Sequence, residues 1–189
     1  MRFTLVRHGE VEDPRPGLAE TGHDDPALTV YGRRQGAALA KELMDSSDAG
    51  EEIVALYTSP LRAARTTSEA ISAVLGVGDP QVAPELTTLT PEVLPEGDTS
   101  AVEVIQSQAW AMVLALKEQF EQRSTVVLVT HDLTIRALVC QALGMPLADM
   151  HRFELSPASM TTIEFRLQRD GRERTLVAAL NDTCHVEAI

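Results

Sequence analysis

An apolar run that begins almost at the first residue and stops abruptly in charged chemistry constrains this chain more than any other feature: Phe3-Thr4-Leu5-Val6-Arg7-His8-Gly9-Glu10. Its β-branched and aromatic content predicts an inner strand. In an open α/β sheet, ligands gather at the carboxyl ends of the strands, so Arg7 and His8 stand where a crevice forms. The ordinary alternative is a hydrogen-bonded histidine and a surface arginine behind an N-terminal strand. The rest of the chain decides between these readings by what else converges on that end.

The segments that follow alternate helix with strand. Val11 to Pro26 is acidic and rich in Pro and Gly, and reads as a long loop over the end of the first strand. Thr29 then caps a helix that runs to about Met44. Ile53 to Tyr57 is a second strand, leaving through Thr58-Ser59-Pro60. A helix from Pro60 to about Leu75 is closed by Gly76 and Gly78. Asp79 to Ser100 is a second irregular excursion, carrying Glu85, Glu92, Glu96 and Asp98. A third helix spans about Thr99 to Phe120, with Trp110 assigned to packing. Thr125 to Thr130 is the strongest strand signal, followed at once by His131-Asp132 and a helix to Leu143. Two last strand-like runs, Met160 to Leu167 and Thr175 to Leu180, flank a turn at Asp170-Gly171. The prediction is an α/β fold: an open, mostly parallel sheet flanked by helices, with an antiparallel edge, in a single domain over residues 1–189.

Composition narrows the partners. The formal net charge of −12 opposes nonspecific attraction to nucleic acid or to anionic membrane. No run approaches the roughly 18 apolar residues of a membrane span, and the N-terminus lacks the apolar core of a secretory signal. A cytoplasmic location follows as a default. Cys140 and Cys184 are too few for a disulfide scaffold and read as small buried apolar groups. The bulk charge leaves room for a small phosphorylated metabolite, because arginines inside a cleft dominate locally.

The expected site combines Arg7 and His8 with His131 and Arg62, each falling just after a strand. Two histidines and two arginines without a thiolate or a dense carboxylate set do not make a metal site, and no cofactor is expected. Guanidinium groups match phosphate oxygens with a planar fork of donors. One imidazole can attack phosphorus while the second donates to a nonbridging oxygen. Attack by His8 would leave a phosphohistidine, which water then hydrolyses.

The linear blocks also resemble the histidine phosphatase superfamily, the phosphoglycerate-mutase-like proteins, over nearly the whole chain. Leu5 to Glu10 is similar to the family signature, and Asp25 to Gln35 to its Asp-Pro-x-Leu-Thr-x-x-Gly-x-x-Gln stretch, with Ala27 where a second proline is common. Val129 to Leu138 resembles the second histidine block, with Asp132 where glycine is common. Leu180 to His185 is similar to the ending of the small-molecule phosphatase branches. The resemblance implies His8 as nucleophile, Arg7 and a second arginine as phosphate ligands, and His131 as the second phosphate-binding histidine.

Two departures from the family pattern matter. Counted from Pro60, the second arginine falls on Ala63; the pattern Arg62-Ala63-Ala64-Arg65-Thr66 restores it as Arg62, with Arg65 the alternative. The general-acid glutamate falls on Thr88, leaving Glu85 as substitute and Glu92 as runner-up. Gly9 is assigned to substrate binding, either by admitting phosphate close to the backbone or simply by allowing a tight turn. His23 and His151 are read as surface residues, Arg33-Arg34 as a solvated helix face, and Arg136 as an orienting or pairing residue. His185 is placed between the crevice and an ordinary structural role.

The expected activity is a metal-independent phosphomonoesterase acting on a small phosphorylated metabolite, as a monomer or homodimer. The alternatives are a protein-phosphohistidine phosphatase and a noncatalytic phosphate-binding protein. Turnover that disappears in H8A separates enzyme from binder.

Overall fold

The computed structural model describes residues 1–12, 25–48, 52–89, 99–187 and 189. Glu92 and His23 lie outside these residues, as do most of the first loop and much of the second excursion.

Strands β1 (Arg2–Arg7), β2 (Ile53–Thr58), β3 (Gln81–Val82), β4 (Thr125–Thr130), β5 (Met160–Leu167) and β6 (Glu173–Asp182) form one sheet in the order β3-β2-β4-β1-β5-β6. β1, β2, β3 and β4 are parallel, and β5 runs antiparallel to both β1 and β6. The expected α/β sheet, mostly parallel with antiparallel pairing at one side, is therefore observed. Helices α1 (Val30–Asp48), α2 (Arg62–Leu75), α3 (Ser100–Gln119) and α4 (Asp132–Leu143) cover it.

The alternation of side chains along the central strands divides the core into two layers. Phe3 and Leu5 of β1 and Val126 and Leu128 of β4 meet Ala109, Val113 and Leu116 of α3 and Ile135 and Leu138 of α4. On the opposite face Val6, Val127 and Val129 meet Leu39, Ala40 and Leu43 of α1 and Ala64 and Ile71 of α2. Every residue of β4 is buried, which is why Thr125 to Thr130 reads as an unbroken apolar run. Trp110 packs against Phe165 with ring centroids 5.9 Å apart, the packing role expected of it.

Several boundaries moved for identifiable reasons. α2 begins at Arg62, because Leu61 is still extended and Pro60 precedes it. The second excursion contains the two-residue strand β3 and a 3-10 turn at Pro84–Leu86, both too short to leave a periodic signal. β6 is longer than its apolar stretch, since its outer residues are paired to β5 by backbone bonds alone. Cys140 is buried as expected, but Cys184 is exposed: it lies in the turn after β6, where the chain has left the core.

Candidate active site

The in-register pairing of β1 and β4 sets Arg7 opposite Thr130, so the next residues, His8 and His131, leave the sheet side by side. The His8 amide donates to the Thr130 carbonyl at 3.0 Å, and the two imidazoles meet edge to face with centroids 5.0 Å apart. β2 ends on the other side of β4. Its exit residue Ser59 donates its backbone N–H to Val129 and places its Oγ 2.7 Å from His131 Nε2. The sequence reading missed Ser59 as a site residue; the available signal was a hydroxyl directly after a buried strand.

The tautomer of His8 is set by its neighbour. Nδ1 lies 2.7 Å from the Gly9 carbonyl, which can only accept, so the proton sits on Nδ1, and the Nε2 lone pair meets no donor among the described residues. Burial lowers the pKa of His8, and the Arg7 charge adds to this, while the Gly9 bond, Asp132 and Asp25 oppose it. His131 is driven down to about 3, first by burial and then by the charges of His8 and Arg7. Both rings are therefore neutral at pH 7.

Arg7 is the cation these rings feel. One guanidinium nitrogen, Nη1, is held by the Leu155 carbonyl, whereas the buried Nε has no acceptor among the described residues. A buried donor left without a partner costs about 1–3 kcal/mol, so this one calls for an acceptor. Burial lowers the Arg7 pKa, opposed by the carboxylate of Asp132. Asp132 is itself clamped by Arg136 at 2.7 Å. Arg136 also donates to the carbonyls of Met150 and Phe153, so it pairs and fastens, as expected of it.

Arg62 occupies the first position of α2 and is exposed. Its backbone N–H donates to Asp25 Oδ1 at 2.8 Å, and its guanidinium makes no hydrogen bond or ion pair among the described residues. Arg65, one turn further, lines a cleft with Glu69 and Asp79. Glu85 is exposed in the Pro84–Leu86 turn. That turn is fastened beside His131: Thr130 Oγ1 donates to Leu86 O at 2.6 Å and Thr134 Oγ1 to Thr87 O at 2.6 Å.

Gly9 acquires a reason that neither phosphate access nor a tight turn describes. A Cβ on Gly9 would stand 2.5 Å from Gly32 O, and one on Gly32 would stand 2.1 Å from Glu10 O. The two glycines let the signature loop lie backbone against backbone on the start of α1. The same contact is tied by Thr29, whose Oγ1 accepts from Gly32 N–H and donates to Glu10 Oε1, each at 2.8 Å. Thr29 thus caps α1 as expected. Arg33 bonds the Leu28 carbonyl from an exposed helix face, and His151 is exposed. His185 does not join the two imidazoles; its Nε2 reaches the Ala158 carbonyl at 2.9 Å.

A mostly parallel sheet thus presents paired histidines and a half-buried arginine at its strand ends. The model of the histidine phosphatase superfamily, branch 1, matches residues 3–89 and 87–179, and the chain belongs to that family. It is a phosphatase. Among relatives, it is 26% identical to phosphoserine phosphatase 1 of Hydrogenobacter thermophilus, over 98% of this chain and 94% of that one. A phosphoserine phosphatase of Entamoeba histolytica, solved in complex with 3-phosphoglyceric acid, superposes with a TM-score of 0.73 at 21% identity, covering 98% of each chain. A mycobacterial glucosyl-3-phosphoglycerate phosphatase gives 0.73 at 20% identity, covering 97% of this chain and 99% of that one. At these identities the two structures speak for the fold.

Proposed function

We propose that the chain hydrolyses a small phosphorylated metabolite through a phosphohistidine on His8. The observation that carries this is the pair of adjacent neutral imidazoles, with His8 Nδ1–H committed to Gly9 and Nε2 free to attack. Nε2 donates its lone pair to phosphorus as the bond to the leaving oxygen breaks. Arg7 and Arg62 hold the nonbridging oxygens, and His131 donates an N–H to one of them as charge develops there. Arg62 is preferred to Arg65 because it stands at the first position of α2, nearer the β2 exit that carries Ser59. Water then attacks the phosphoenzyme, releases phosphate and restores His8.

Glu85 protonates the leaving oxygen in this scheme, from a turn anchored against the β4–α4 junction. The substrates in the relatives' names, phosphoserine and glucosyl-3-phosphoglycerate, are phosphate monoesters that carry a carboxylate. That chemistry is the first to test here. The enzyme works without a metal, as a cytoplasmic monomer or homodimer.

The test is phosphate release by the purified protein from phosphoserine, 3-phosphoglycerate, sugar phosphates and a phosphohistidine peptide, with and without a chelator. Turnover on the carboxylated monoesters that is lost in H8A and indifferent to chelation supports the reading. Activity confined to the peptide, or activity abolished by chelation and restored by a divalent cation, overturns it.

A further inference from the structure

The C-terminal segment Asn181 to His185 has no place in the chemistry above, yet the side chains of Asn181 and His185 reach the loop that brackets Arg7 and His8. His185 is 7% exposed, and its Nε2 lies 2.9 Å from the Ala158 carbonyl. A carbonyl only accepts, so Nε2 carries the proton and donates it. Ala158 sits at φ +60°, in the left-handed region that a residue with a Cβ rarely adopts. In that conformation its N–H donates to the His8 carbonyl at 3.0 Å.

Neighbouring bonds make the loop a cradle for the two residues. The Ser159 carbonyl accepts the Arg7 N–H at 3.1 Å, and the Leu155 carbonyl accepts from the Arg7 guanidinium. The far end is held by Asn181, at φ +54°, whose Oδ1 accepts the Ser156 N–H at 2.7 Å. Without the His185 bond the Ala158 carbonyl loses its side-chain donor, and the left-handed turn is free to relax. The His8 carbonyl then loses its partner.

We propose that His185 is a positioning residue for phosphoryl transfer: it donates to Ala158, holds that residue left-handed, and so fixes the backbone of His8 in line with the bound phosphoryl group. The proposal rests on the reading of His8 as nucleophile.

The experiment compares the whole protein with H185L, which keeps volume without a donor, and H185Q, whose amide nitrogen stands near the position of Nε2. kcat and KM are measured with p-nitrophenyl phosphate, and thermal unfolding is followed in parallel. Because small misplacement of reacting groups costs rate steeply, H185L is expected to lose about tenfold or more in kcat with KM changed less than about threefold. H185Q is expected to recover most of that loss. H185N, whose amide is too short to reach Ala158, replaces H185L if the apolar variant does not fold. Equal kcat in the donor and donorless variants, or losses that track thermal stability alone, overturn the proposal. H8A in the same assay separates the two ideas: turnover surviving there refutes the nucleophile assignment and the brace with it, whereas turnover lost in H8A but equal in H185L and H185Q refutes the brace alone.

Discussion

Arg7 and Thr130 are partners in the β1–β4 register, and this pairing brings His8 and His131 to a 5.0 Å ring separation. A one-residue slip in either strand would carry one imidazole to the other face of the sheet. With its Nε2 lone pair beside a second ring, His8 is expected to carry the covalent step. H8A should lower turnover about a thousandfold or more, as removal of a nucleophile does elsewhere. Rapid quench in base should trap a phosphoenzyme that acid destroys. Retention of turnover by H8A, or an acid-stable phosphoenzyme, contradicts this.

Arg62 and Arg65 lie one helical turn apart on α2, and Arg62 stands at its first position, nearer the β2 exit. A charged hydrogen bond to phosphate contributes about 1.5–3 kcal/mol, so R62A should raise KM about tenfold or more. R65A should change it less than about threefold. The reverse ranking in steady-state kinetics would hand the second phosphate contact to Arg65.

Glu85 is judged by the leaving group. An acid matters most when the departing alcohol is a poor leaving group, so E85Q should slow hydrolysis of alkyl phosphates about tenfold or more while sparing p-nitrophenyl phosphate. Equal slowing of both substrates, or of neither, removes Glu85 from that role.

Gly9 lies against Gly32 with no room for a methyl group, since its Cβ would stand 2.5 Å from a backbone oxygen. Overpacking of this kind costs about 1–3 kcal/mol. G9A is therefore expected to lower stability by that amount in urea unfolding. Unchanged stability would return Gly9 to an assignment based on ligand access.

Acid sensitivity follows from the two depressed imidazoles. Above the ordinary histidine value of 6.5 both rings are neutral in folded and unfolded chains alike, and their contribution to stability is fully present. As pH falls below 6.5 the unfolded chain takes up protons that the buried rings refuse, so stability drops progressively toward about 3, where His131 titrates. Urea unfolding at pH 7, 6, 5 and 4 should show the decline, and H131N should flatten part of it. A wild-type profile flat across that range would count against burial as the cause.

Much of the site was legible because it depends on strand ends. Apolar runs that stop in Arg7-His8 and in His131 mark the carboxyl ends of inner strands, and a parallel sheet places such ends on one side. The capping hydroxyl of Thr29 is a local pattern too. β3 escaped because two exposed residues carry no period, and Cys184 was misjudged because composition cannot show where a chain leaves its core.

The amino-acid order alone marked the four α-helices and every described strand but β3, since these follow from periodicity and from interactions within a few positions. Only the tertiary structure decided that Ser59 meets His131, that Gly9 makes room for Gly32, and that His185 holds Ala158 behind His8. Those contacts join residues 23 to 150 positions apart. They depend on strand register and on the close approach of backbones, and no local pattern in the chain encodes either.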